Sequence, residues 1–290
     1  MCRFRSGILL KDRAVIAQKD NDSHQDMLEG LNISDTYENA ARVFVRAELI
    51  PEKEEWWTNP DGWEFVIDQD IVPDWFDEDR EGHISRFRAA VKEWWSGHVL
   101  VDKKIDTLRT GYYMLKGCEV EKLCGDAMVL LKNSKVGEMR DGSQVREMWG
   151  SSQVRVMYGS SQVGVMRDGS QVGKMHDSSQ VGVMYNSAQV REMHGNSQVR
   201  EMYGSAQVRE MWGNSQVREM HNSAQVGRMH GSAQVGKMYD GSAARDFKGY
   251  PLIKLLVPDG GSCRFELTAH KNELTVGAGE CKNCFANRYT

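Results

Sequence analysis

The clearest regularity in the chain is a valine every nine residues, at Val136, Val145, Val154, Val163, Val172, Val181, Val190, Val199, Val208, Val217, Val226 and Val235. A methionine follows each by three positions, from Met139 to Met238, so twelve of the chain's 16 methionines share one register and must share one environment. Ser or Ala stands two before each valine, and Gln stands immediately before all but the first, giving the consensus S/A-Q-V-R/G-x-M-x-G/N/D-x. On extended backbone alternate side chains share a face, so Ser/Ala and Val point inward while Gln and the following Arg or Gly point outward. Methionine at valine plus three breaks that alternation, and the chain must bend for both to reach one interior. Two residues past each methionine stands Gly, Asn or Asp, from Asp141 and Gly150 to Gly231 and Asp240, the residue types that best tolerate left-handed backbone. Each unit therefore predicts a short strand and a tight corner. A helix is disfavoured, because a β-branched residue and a corner residue in every nine suit it poorly.

One unit of nine cannot bury its own apolar side, but units stacked at about 4.8 Å bury one another's. The expected architecture is mainly β: a β-solenoid, a parallel β-helix or roll, of nine-residue repeats over residues 117–242. Two units per coil are expected, with three per coil as the second choice. The calcium-binding nonapeptide roll is excluded, since its GGxGxD pattern is absent. Imperfect units around Val120, Leu123, Met128 and Leu131 mark a transition into the array.

Residues 1–116 carry no repeat and read as a small α+β domain. CRFRSGILL and AVIA, separated by KDR, predict a β-hairpin. HQDMLEGLNI predicts a short helix capped by Asp22 or Ser23. ARVFVRAELI and GWEFVIDQDIV predict two further strands. ISRFRAAVKEWWSGHVL predicts an amphipathic helix with Phe87, Val91 and Trp94 or Trp95 on one side. Residues 243–290 lose the register and read as a β-rich capping segment, which an array with an open last coil requires.

Composition narrows the function classes. A formal net charge of −4 carries no electrostatic footprint for non-specific nucleic-acid binding. No apolar run reaches the roughly 20 residues of a membrane span, and the first residues lack a signal-peptide core, so a cytoplasmic protein without a membrane partner is expected. Six cysteines, unevenly spread, do not form a secreted disulfide framework.

The position after each methionine varies among large flat or cationic residues, including Trp149, Tyr158, Tyr185, Tyr203 and Trp212. Such residues either stack on their neighbours along the rod or form a recognition strip for a partner. The Gln column is expected to hydrogen-bond along the axis. An ice-binding face would need small hydroxyl side chains. A duplex mimic would need unneutralised acids, whereas Glu192, Glu201, Glu210 and Glu219 each follow an Arg. The N-terminal domain offers a second constellation: Arg5, Ser6, His24, Arg46, Glu48, Asp68, Asp70 and Asp74. There Arg5 and Arg46 would hold an anionic ligand, His24 would carry a proton, and Glu48 or Asp70 would orient it. Cys2 would become a nucleophile if Met1 were removed. The opening MC-x-F-x-S-G-I resembles class II glutamine amidotransferases over a few residues only, and that family's glycine-rich motifs do not follow. Cys263, His270, Cys281 and Cys284 form a weak zinc-type pattern, and no metal or cofactor is expected from it.

Together, MCRFRSGILLKDR, FVRAELIP, DQDIVPDWF and the SSQVREMWG repeats resemble uncharacterised bacteriophage and prophage proteins in which a small α/β domain precedes near-identical nonapeptides. The resemblance implies phage origin and a role in the infected bacterial cell, and transfers no catalytic residue. The expected function is a non-enzymatic protein that binds a protein or small-molecule ligand, such as a host defence or regulatory factor, through the solenoid. The alternative is an enzyme or nucleotide-binding N-terminal domain with the solenoid as stalk. Open rod ends and stacked aromatics are compatible with a homo-oligomer.

Overall fold

The computed structural model describes residues 5–17, 22–239 and 241–249, and beyond them the strands Leu252–Leu256, Cys263–Thr268 and Glu273–Ala278. The chain divides into two compact units between Leu100 and Val101. Among the described residues no helix is long and apolar enough to cross a membrane.

The first unit is built on a four-stranded antiparallel sheet of β1 (Arg5–Leu10), β2 (Ala14–Ile16), β3 (Phe44–Ile50) and β4 (Glu64–Ile67), ordered β2-β1-β3-β4. The expected hairpin is present, with Gly7 opposite Ile16 and Leu9 opposite Ala14. Because directly opposed residues share a face, the pairs Ile8–Arg46 and Leu10–Phe44 place one apolar face under α1 (His24–Gly30). Leu28 of that helix and Ala40 of α2 (Tyr37–Ala40) complete this core. The helix starts where its cap predicts, the Ser23 side chain accepting from the Asp26 amide at 3.2 Å. After the short α3 (Asp74–Glu78), α4 (Arg80–His98) buries Phe87, Val91 and Trp94 as its periodicity predicts. Gly7 faces it: a Cβ there would lie 2.5 Å from the Phe87 ring, so only glycine admits the helix this close.

The last strand is shorter than the expected segment GWEFVIDQDIV. It stops at Ile67 because Gln69 turns inward, its amide donating to the carbonyls of Phe44 (3.2 Å), Ala40 (3.3 Å) and Ile71 (2.5 Å) while its oxygen accepts from the Arg46 amide (2.8 Å). Asp68 and Asp70, expected on one strand face, instead flank this bend.

The second unit is a parallel β-solenoid of about eight turns between residues 99 and 248. Each repeat strand pairs with the strand two units on, Val136 with Val154 and Val145 with Val163, so a coil holds two units and the three-unit alternative falls away. Odd and even units build two separate sheets. Between them every repeat valine is at most 2% exposed and every repeat methionine is 0% exposed. Each such side chain contributes about 1.5–3 kcal/mol by leaving water. The corners fall where Gly, Asn and Asp recur: from Asp141 to Gly231 every one of these residues has a φ between +56° and +67°, while Asp240 lies outside the described residues. Where the corner residue is Asp, its carboxylate accepts from the corner amide one coil earlier, Asp177 from Gly159 at 2.9 Å and Asp168 from Gly150 at 3.0 Å.

The solenoid starts earlier than the boundary expected after residue 116. Lys104 pairs with Glu119, Tyr112 with Met128, and Glu119 with Lys135. The units around Val120, Leu123, Met128 and Leu131 are therefore full coils. The search for a nine-residue period misses them because these coils hold 15 or 16 residues (119 less 104, 128 less 112) rather than 18. At the other end the parallel order stops: Ala243–Arg245 pairs antiparallel with Glu273–Ala278, which pairs antiparallel with Cys263–Thr268. This hairpin covers the last edge of one sheet, and Leu252–Leu256 extends the other.

Candidate functional sites

Three places collect the sequence-predicted residues. The first is the α1 face of the N-terminal sheet. Ser6 and Glu48 are register partners on β1 and β3, so both side chains emerge on the side where α1 begins. His24, the first residue of that helix, reaches Asp68 through Nδ1 (3.1 Å) and the Ala47 carbonyl through Nε2 (3.4 Å). Donor atoms of His24, Glu48 and Asp68 all lie within 4.8 Å of one another, so these three could hold a cation. Burial, then the charges of Asp68 and Asp22, push the Glu48 carboxyl up to about 7.

The two arginines expected to hold a ligand are occupied inside the domain. Arg5, 5% exposed, pairs with Asp22 at 3.1 Å and lies 3.5 Å over the Trp94 ring. Arg46 shares a face with Glu48 as predicted, but pairs with Asp35 and sits over Phe44. Asp70 does not join His24; with Arg46, Asp68 and Tyr37 it lines a neighbouring open cavity of about 510 Å³. Gln69, which shapes both places, escapes sequence reasoning because a glutamine between two aspartates carries no signal. Cys2, His270, Cys281 and Cys284 lie outside the described residues, and of Cys263 only the backbone is described.

The second place is the pair of solenoid edges. A single recognition strip was the expectation; because successive corners fall on opposite sides of a coil, the structure makes two. On one edge Tyr158, His176, His194, Trp212 and His230 stack in order, with ring centroids 5.2, 4.9, 6.3 and 3.7 Å apart. On the other, Tyr185, Tyr203, His221 and Tyr239 stack at 5.4, 4.5 and 4.1 Å, and Arg167 lies over Tyr185. Trp149 is 8% exposed, whereas Trp212 is 38% exposed. Glutamates two residues earlier brace some of these rings: Glu201 accepts from the Tyr203 hydroxyl at 2.9 Å, which pushes that phenol up to about 12, and Glu210 accepts from the Trp212 indole at 3.3 Å. Tyr203 and Trp212 are thus held by a ring on either side and by a carboxylate.

The third place is the flat outer face of the sheet that contains Lys135–Met139, where a groove of about 710 Å³ runs from Glu119 to Arg209. Gln153, Gln171, Gln189 and Gln207 stand in register along it. The expected hydrogen-bonded Gln ladder does not form: among the described residues these amides make no hydrogen bond to one another. Beside them the position after valine reads Gly137, Arg155, Gly173, Arg191, Arg209 and Gly227 on successive coils. Arg191 and Arg209 are thus adjacent cations between two glycine-lined notches. At the opposite end stand Glu119 and Glu121, where Lys135 and Lys104 pair with Glu119 at 3.4 and 3.6 Å.

The fold and these surfaces define a parallel β-solenoid protein with two nonapeptides per coil. No family model, curated protein or solved structure matches the chain.

Proposed function

We propose that this chain is a binding protein whose solenoid groove takes an extended segment of a partner protein. The observation that carries this reading is the outward Gln and Arg columns, which place unpaired amides and adjacent guanidinium groups at the one-coil spacing of about 4.8 Å. Arginine forks suit carboxylates, so an acidic stretch would lie over Arg155, Arg191 and Arg209. The edge stacks stiffen the rod and keep the spacing constant. The resemblance to phage and prophage proteins supports a host defence or regulatory factor as the partner, met in the cytoplasm of an infected bacterium.

The test is fluorescence anisotropy with a labelled oligo-glutamate peptide, with oligo-lysine as control. The wild-type chain should bind the acidic peptide in a salt-sensitive manner, and Arg191→Gln with Arg209→Gln should weaken binding by about tenfold or more. Equal binding of both peptides, or no change in the double variant, would refute the groove as the recognition surface.

A further inference from the structure

We propose that His24, Glu48 and Asp68 bind one divalent transition-metal ion of the zinc or manganese class, with the Ser6 hydroxyl beside it. Three separate elements deliver the donors: the first turn of α1, the middle of β3 and the bend after β4. Each is fixed by backbone contacts, Asp68 by its own amide donating to the Arg46 carbonyl at 3.0 Å. A tetrahedral ion with bonds of about 2.0–2.1 Å separates its ligands by roughly 3.3 Å. The His24 Nδ1 to Asp68 distance of 3.1 Å already matches that edge, and Glu48 closes the remainder by a side-chain rotation.

The imidazole gives a second reason. Both ring nitrogens face oxygen acceptors, Asp68 on one side and the Ala47 carbonyl on the other. With Nε2–H donating to the backbone carbonyl, the arrangement that orients most metal-bound histidines, the Nδ1 lone pair is placed to meet an ion held by the Asp68 carboxylate. Two carboxylates converging on that lone pair favour a doubly charged ion, and the mixed nitrogen and oxygen donors select zinc or manganese over calcium.

An independent observation comes from Ser6. Its side chain is fully buried, its Oγ has no hydrogen-bond partner among the described residues, and it stands opposite Glu48 on the same sheet face. A buried hydroxyl left unsatisfied costs about 1–3 kcal/mol; a metal or a metal-bound water beside Glu48 would satisfy it. The Asp68 side chain is 60% exposed while that of His24 is 9% exposed, so the site is open on one side. Three protein ligands and an open position are the ligand count of zinc sites that carry a water or a substrate, not of closed structural sites.

The experiment uses the full chain, stripped with chelator and titrated with Zn²⁺ by calorimetry and with Mn²⁺ by electron paramagnetic resonance. One ion per chain is expected. Asp68→Asn, at a side chain that is 60% exposed, should weaken affinity by at least about 100-fold, as removing a ligand costs more than removing a partner behind one. Glu48→Gln should do the same, with circular dichroism showing that both variants remain folded. No saturable binding of either ion overturns the proposal. So does binding that survives both substitutions, which would place the ion on other ligands, the C-terminal cysteines first among them.

Discussion

Alanine at Gly213 isolates the backbone cost of a solenoid corner. Gly213 sits at φ +67°, and a Cβ built there would lie 3.4 Å from the nearest atoms, the Gly195 backbone, which is ordinary contact. Crowding is therefore small, and the cost is that of holding a residue with a Cβ in left-handed backbone, about 1–2 kcal/mol. Reduced freedom of the unfolded chain offsets part of this, by about 0.4–1 kcal/mol. The net loss should be close to 1 kcal/mol, a fall in Tm of roughly 2–4 °C for a chain of this size. Two comparisons test the mechanism. Gly204→Ala should cost more, because its Cβ would lie 3.2 Å from the Asn186 backbone. Gly213→Asn should cost less than Gly213→Ala, since Asn186 and Asn222 adopt the same conformation at φ +57° and +56°. Thermal unfolding followed by far-ultraviolet circular dichroism gives the three values. If alanine and asparagine at 213 prove equivalent, left-handed corners are not what selects these residues, and the explanation of the repeat fails.

Three further outcomes follow from the same structure. Ser161→Ala should leave stability unchanged or raise it by up to about 1 kcal/mol in denaturant titration, because the Ser161 hydroxyl is buried without a partner among the described residues and alanine fills this slot at Ala188, Ala206 and Ala224; a clear loss would mean the hydroxyl is used. Met193→Ala should cost about 2–5 kcal/mol through the cavity it leaves, against less than about 1.5 kcal/mol for Met193→Leu; equal Tm values would show that these methionines do not fill the interior. Burial and the neighbouring Asp68 and Asp22 push the Glu48 carboxyl up from its ordinary 4.5 to about 7, so the folded state holds its proton more tightly and metal-free stability should fall as pH rises from about 4.5 through 7. Glu48→Gln should remove that decline, worth about 1–2 kcal/mol after solvent screening, and identical Tm differences from wild type at pH 5 and pH 8 would contradict it.

The legible parts of this chain are the ones where a single local rule repeats. Val and Met spacing with a Gly, Asn or Asp corner names strand, interior and turn in each unit, because a corner is decided within a few bonds and a strand face by alternation alone. Cap, hairpin and helix in the N-terminal domain were readable for the same reason: Ser23 caps from three residues away, and Phe87, Val91 and Trp94 share a stripe by helical pitch. Three-dimensional packing decided the rest. Two units per coil rather than three depends on which strands meet, and the first coils hide because 15- and 16-residue turns keep the interior while breaking the period. The division of the aromatic column into two stacks follows from that coil size. His24, Glu48 and Asp68 lie 24 and 20 residues apart in order, and their meeting depends on β3 pairing with β1 and on the inward turn of Gln69. Local bonding is written in neighbouring residues; which charged groups come to face one another is a long-range consequence of sheet order, and only the folded chain reveals it.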